Sequence, residues 1–190
     1  MPLTQYNTAT SLDGFIADEH NSLDWLFSVP RTGNEDRFAP FLREVGAFAM
    51  GAATYQWAVR TEQLLDHPEK WREWYGSRPC WVFTHHDLAR VPGAAIEFVS
   101  GDVRPVHKAL TRAAGDQNIW LVGGGDLVGQ FSDHRLLDEI ILGYAPVTLG
   151  AGAPVLPRRL TGVFELREAV VVNGAFVEAR YRVRRSTGVE

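Results

Sequence analysis

Three short segments place phosphate-handling residues where a strand candidate gives way to a helix or a loop. They are Met50-Gly51-Ala52-Ala53-Thr54-Tyr55, Val122-Gly123-Gly124-Gly125-Asp126-Leu127 and Phe83-Thr84-His85-His86. A helix start leaves backbone N–H groups without partners, and its dipole favours an anion. Gly51 lets a phosphate approach the backbone closely, and Thr54 adds a hydroxyl; the plainer reading makes Thr54 the N-cap of the next helix. Three consecutive glycines after a buried strand are costly in chain entropy, which points to a place from which side chains are excluded. A diphosphate lying on a helix N-terminus accounts for the exclusion, and so does tight helix–sheet packing. The run is not the fingerprint G-x-G-x-x-G, which needs glycine at position 128, where Val128 stands. Thr84 and His85 offer a hydroxyl and an imidazole for a phosphate, or belong to a solvated loop.

These turns must be positioned by the elements around them. Strand candidates are Leu3 to Thr10, Ala47 to Met50, Cys80 to Thr84, Ile96 to Val99, Asn118 to Val122 and Ile140 to Tyr144. Helical spacing predicts helices over Asp36–Val45, Thr54–Glu62, Pro105–Ala114 and Asp126–Phe131. Strand–helix alternation implies an α/β fold with a mostly parallel sheet flanked by helices. The tail, Phe164 to Arg184, reads as β-structure interrupted at Asn173-Gly174, a strong hairpin signal that predicts a C-terminal antiparallel hairpin. All three glycine or hydroxyl turns then fall at carboxyl ends of strands, where open α/β sheets bind ligands. Together they predict one long phosphate-bearing ligand along that edge.

Composition excludes several alternatives. The 190 residues are expected to form a single domain, residues 1–190, with an ordinary hydrophobic content of 45%. The net charge of −4 provides no basic footprint for nucleic acid. Cys80 is the only cysteine, so neither an internal disulfide nor a C-x-x-C metal site can form. The histidines have no ligand spacing, and no metal is expected. No signal-peptide pattern opens the chain and no apolar run is long enough for a membrane span, so a cytoplasmic protein is expected.

The residues also carry a resemblance. Thr10-Ser11-Leu12-Asp13-Gly14-Phe15-Ile16-Ala17 with Ser22-Leu23-Asp24-Trp25-Leu26 resembles the opening of the dihydrofolate-reductase-like superfamily. Gly51 to Tyr55 resembles its G-R-x-T-Y/W turn, with Ala52 in the place of the usual arginine. Val122-Gly123-Gly124-Gly125, Leu137-Asp138-Glu139-Ile140 and Pro146-Val147-Thr148-Leu149-Gly150-Ala151-Gly152 are similar to the late signature of the riboflavin-biosynthesis reductase domain, in stand-alone form. The resemblance implies a mixed sheet of about eight strands and NADPH, or NADH, as cofactor. It implies backbone contacts from Ala9 and Thr10 to the nicotinamide carboxamide, with Ile16 beside the ring. Gly51, Ala53 and Thr54 would hold phosphate, as would Val122, Gly123, Gly124, Gly125, Asp126 and Leu127. Thr84 and His85 would lie near the adenosine ribose, and a homodimer would be usual.

The implied chemistry is hydride transfer to an imine or carbonyl carbon of a small heterocyclic substrate, as in 5-amino-6-(5-phosphoribosylamino)uracil reductase. A dihydrofolate- or pterin-reductase-like enzyme, or an inactive nucleotide-binding module, are the alternatives. Hydride addition calls for a proton donor. Asp13, Glu35 and Asp36 are the candidates, although Asp13 also suits a turn and Asp36 a helix cap. Trp25 is expected to stack on a planar substrate and Tyr144 to contact it, against the plainer reading of core packing.

Overall fold

Runs of apolar residues pair laterally into one sheet, and the amphipathic stretches between them coil over its two faces. The computed structural model describes residues 2–33, 36–160 and 162–184. In chain order the elements are β1 (Thr4–Thr10), β2 (Phe15–Ala17), α1 (Asp24–Phe27), α2 (Phe38–Arg43), β3 (Val45–Gly51), α3 (Ala52–Thr61), α4 (Glu69–Tyr75) and β4 (Cys80–Phe83). There follow β5 (Ile96–Val99), α5 (Val103–Ala114), β6 (Asn118–Gly123), α6 (Gly125–Asp133), β7 (Glu139–Tyr144), β8 (Ala153–Pro154), β9 (Val163–Val172) and β10 (Phe176–Arg184).

Among the described residues, eight strands form one sheet in the order β5-β4-β3-β6-β1-β7-β10-β9. The first six run parallel; β10 is antiparallel to β7 and to β9. This is the mixed, mostly parallel, eight-stranded sheet with a C-terminal hairpin that the pattern implied. Asn173 and Gly174 both take positive φ in the hairpin turn, 52° and 68°, as a tight connection of twisted strands requires.

Side chains alternate between the two sheet faces. On one face Tyr6, Ala49, Leu121, Ile140 and Leu142 pack under α5 and α6, through Val106, Leu110, Leu127 and Phe131. On the other, Phe48, Met50, Val82, Trp120 and Ile141 meet α2, α3 and α4, through Phe41, Tyr55, Ala58 and Trp71. No helix among the described residues is long and apolar enough to cross a membrane.

One boundary departs from expectation, and two elements have no counterpart in the sequence pattern. Helix α3 begins at Ala52, so Gly51 and not Thr54 is its N-cap; two alanines, the best helix formers, extend it backwards. Trp71 and Tyr75 belong to a helix, α4. Aromatic residues are weak helix formers; here the helix is held by the stacking of Tyr75 on Phe48, with ring centroids 4.8 Å apart. The two-stranded pair β2–β8 is too short to show a period in sequence.

Candidate active site

The strand order turns the three separate turns into one line. The chain leaves β3 towards β4 on one side and leaves β6 towards β7 on the other, so β3 and β6 flank a topological switch point, where α/β sheets open a ligand crevice. The carboxyl ends of β4, β3, β6 and β1 carry Thr84, Gly51, Gly123 and Thr10, on four adjacent strands. Three interstrand steps of about 4.8 Å make roughly 14 Å, a span suited to an extended dinucleotide.

At the switch point two helix N-termini converge. Gly51 caps α3 and Gly124 caps α6, both in extended backbone and neither with a side-chain cap. A Cβ on Gly51 would lie 3.7 Å from the Gly124 nitrogen, so the two ends touch across the crevice. Their first N–H groups and both dipoles face the same space, the requirement for a diphosphate. The Gly123–Gly124 peptide is cis.

The three glycines divide by cause. A Cβ on Gly124 would meet only Ile16 Cδ1, at 4.0 Å, so the missing side chain leaves open room. Gly123 has φ +139°, a conformation that L side chains rarely adopt, and it lies beside the Thr54 hydroxyl. Gly125 is glycine for packing, since a Cβ there would stand 2.2 Å from the Val155 carbonyl oxygen. Both readings of the triple glycine are therefore present, at different positions.

Next to the crevice the sheet splits. Pairing of β1 with β6 ends at Tyr6–Leu121, whereas β1 stays paired with β7 as far as Thr10–Tyr144. On the β6 side, Leu3 O accepts from Ile119 N and Asn7 O from Trp120 Nε1. Ala9, two residues further, turns its backbone amide the same way, into the gap. Thr10 does not share this role. Its carbonyl accepts from Ala145 N, and its buried hydroxyl donates to Ser11 O and Phe15 O.

A cavity of about 190 Å³ lies on the α2 face of the sheet. Asn7, Ile141 and Arg180 form one cross-strand row of its lining, and Phe41, Pro40 and Arg37 cover it. Arg37 Nε donates to Glu178 Oε1 at 2.7 Å and Nη2 to Glu168, which pins the start of α2 to the hairpin; these carboxylates raise the Arg37 pKa further. Arg37, Glu178 and Arg180 were not among the residues singled out in the sequence. In FVEARYRVR the alternation of charge with apolar residues reads as a solvated strand face; only α2 folding across it makes that face a pocket.

The remaining candidates are scattered. Asp13 is exposed, and its carboxylate accepts from the Ser11 hydroxyl (2.6 Å), Gly150 N (2.7 Å) and Leu149 N (3.0 Å). The Ser11 hydrogen bond, then that of Gly150, holds its carboxyl below the usual range. It is ionised at neutral pH and ties the loop after β1 to the loop after β7. Asp36 Oδ1 accepts from Phe38 N and Ala39 N, both at 2.9 Å, at the start of α2. Glu35 lies outside the described residues. Trp25 packs with Phe176 and Ala145 and its Nε1 is buried without a partner. Tyr144 joins the core on the opposite sheet face, away from the cavity, and burial pushes its phenol pKa up. The Thr84 hydroxyl closes a turn with His86 N and O, and His85 is exposed beside it. Ala53 is exposed at the α3 start, and Val122 is half-buried. Leu127 is core, and Asp126 is engaged by Arg158 and Gln130, which lower its pKa.

The Asp13 clamp has a pH signature. A depressed folded-state pKa contributes stability above the unfolded value and loses it as pH falls through the folded value. Asp13→Ala is expected to lower the Tm at pH 7, with the difference from wild type narrowing below about pH 4. Thermal melts across pH check this.

Residues 59–171, more than half of the chain, match the model of the RibD C-terminal domain. YwjB of Bacillus subtilis, an uncharacterized protein, is 30% identical over 159 residues, covering 84% of each chain. The crystal structure of a "putative riboflavin biosynthesis protein" from Shewanella sp. PV-4 superposes with a TM-score of 0.74 at 27% identity, covering 96% of this chain and 99% of that one. Dihydrofolate reductase from Enterococcus faecalis complexed with NADP(H) shares the fold, with a TM-score of 0.59 at 15% identity over 96% and 97% of the two chains. The family model thus matches more than half of the chain and the solved structures share its fold: this chain belongs to the RibD C-terminal domain family, a reductase family with the dihydrofolate-reductase-like fold.

Proposed function

We propose that the protein is an NADPH-dependent reductase of a small heterocyclic substrate of the ribosylaminopyrimidine class. The observation that carries this reading is the convergence of two helix N-termini, without side-chain caps, on the open space in front of Gly51 and Gly124. The residues present fit the cofactor: a cradle that a Cβ would fill at Gly124 lies beside a split sheet edge that leaves the Ala9 amide facing a gap. Backbone N–H groups from Gly51 to Thr54 and from Gly124 to Asp126 would hold the diphosphate, joined by the Thr54 hydroxyl. Ala9 and Ile16 would hold the nicotinamide end, and Thr84 and His85 the adenosine end.

The bound cofactor would supply a hydride to the substrate. The protein orients the reacting carbon and excludes water. Phe41 and Ile141 provide apolar walls, and Asn7, Glu178 and Arg180 provide polar ones. We assign proton delivery to Asp36, whose neighbour Arg37 lines the cavity. Asp13, held ionised by its loop partners, has a structural role in this reading.

The resemblance gives the arginine that Ala52 replaces a cofactor phosphate to meet, and of His85, Arg60 and Arg78, which could take its place, Arg78 is engaged elsewhere. Its guanidinium donates to Val45 O, Tyr75 O and Leu42 O within the fold. His85 and Arg60, both exposed, are left for that task. Titration with NADPH and with NADH, followed by tryptophan fluorescence, tests the cofactor. Micromolar quenching by NADPH is expected, and no quenching by either nucleotide would overturn the reading. Loss of absorbance at 340 nm with a ribosylaminopyrimidine, and not with dihydrofolate, tests the substrate class.

A further inference from the structure

The pocket beside the split edge carries enough chemistry to name what it recognises, and the inference deepens the reductase reading, on which it rests for the position of the substrate. Two cross-strand rows build the floor. The first is Asn7, Ile141, Arg180; the second, two residues along, is Ala9, Gly143, Glu178. In the second row Gly143 separates the amide expected at the nicotinamide from the Glu178 carboxylate by two interstrand steps, about 10 Å in all. A Cβ on Gly143 would meet nothing within 4 Å, and its φ is not positive. Neither backbone strain nor packing accounts for glycine there. Its effect is an open patch of sheet on which a flat ring can lie.

The polar groups around this patch are complementary and incomplete. Arg180 forms no ion pair among the described residues, and its Nε is buried with no hydrogen-bond partner. An unpaired buried donor on a cation is costly to leave unmade. Glu178 gives one oxygen, Oε1, to Arg37, and no described residue donates to Oε2. Donor and acceptor sit at positions i and i+2 of one strand, facing the same way. The cavity of about 190 Å³ equals about six water-sized volumes of ~30 Å³. That admits one substituted six-membered ring against Phe41.

We propose that Arg180 and Glu178 select substrates by a lactam edge, with Gly143 as the floor beneath the ring. Arg180 donates to the ring carbonyl, and Glu178 Oε2 accepts from the adjacent ring N–H. A uracil-type ring presents this pair. A 2,4-dimethoxypyrimidine ring presents an acceptor nitrogen and no N–H to Glu178 and is rejected, because two acceptors then face each other.

Calorimetric titration with 5,6-diaminouracil and 2,4-dimethoxypyrimidine, in the presence and absence of NADPH, tests the assignment. Wild type is expected to bind diaminouracil and not dimethoxypyrimidine. Arg180→Met and Gly143→Val should each weaken diaminouracil by at least about tenfold, with the NADPH affinity unchanged. Glu178→Gln keeps an oxygen for Arg37 and turns the free acceptor into a donor, so it should reverse the preference towards 2,4-dimethoxypyrimidine; a merely structural role would not produce that reversal. The proposal is overturned if wild type does not bind diaminouracil, if Arg180→Met and Gly143→Val bind it as wild type does, or if Glu178→Gln keeps the wild-type preference. NADPH quenching without diaminouracil binding overturns this inference alone. Diaminouracil binding in the expected pattern without any quenching by NADPH or NADH supports the pocket and overturns the cofactor reading.

Discussion

Gly124→Val is expected to fold normally and to lose the dinucleotide. The new Cβ would stand 4.0 Å from its nearest neighbour, Ile16 Cδ1, and Gly124 has an extended backbone with φ −76°. The Cβ meets no other atom within 4 Å, and the side chain would extend into the space in front of the two helix ends. Removing two charge-assisted hydrogen bonds to a phosphate, at about 1.5–3 kcal/mol each, weakens binding by roughly 10²–10⁴-fold. The control is one residue away. Gly125→Ala would push a Cβ to 2.2 Å from Val155 O and 2.7 Å from Pro157 Cδ. Overpacking of this kind costs about 1–3 kcal/mol and lowers the Tm by several degrees. A thermal melt and an NADPH titration on both variants separate the effects. Normal NADPH binding by Gly124→Val would reduce the glycine turn to a packing device.

The second large effect is on turnover. Asp36→Asn is expected to reduce kcat by about 10²–10⁴-fold, the usual contribution of a positioned proton donor, with little change in NADPH affinity. The substitution is well matched to the position. Asp36 Oδ1 accepts from Phe38 N and Ala39 N at the start of α2, and asparagine caps helices about as well as aspartate. The helix that covers the cavity therefore stays in place, and a fall in kcat reports on the proton. Steady-state kinetics at 340 nm with a ribosylaminopyrimidine measure it. An unchanged kcat would remove Asp36 from the mechanism.

Much of this architecture was legible from local signals. The runs Ala47 to Met50 and Asn118 to Val122 form neighbouring strands, and Asn173-Gly174 turns the hairpin. Gly51 and Gly124 were marked because a strand ending in glycine before a helix leaves N–H groups open, whatever surrounds them. The Thr54 hydroxyl suits a cap; the helix instead begins at Ala52, with Gly51 as its N-cap. Tyr144 ends a strand near the expected nicotinamide region, which suggests a substrate contact. Strand alternation turns its ring to the other face, a matter of parity that an uncertainty of one residue in register reverses.

The polar pocket lay beyond local reading. Arg37 is 141 residues from Glu178, and nothing in either neighbourhood announces the other. Periodicity and turn chemistry are properties of contiguous residues, so the chain alone determined the main sheet strands, most of the longer helices and the glycine bends at their junctions. Which bends face one another, and which charged strand face is roofed and which is wet, depends on strand order and on where α2 lies. The tertiary structure alone decided these, because burial and hydrogen bonding between distant segments exist only after the sheet has assembled.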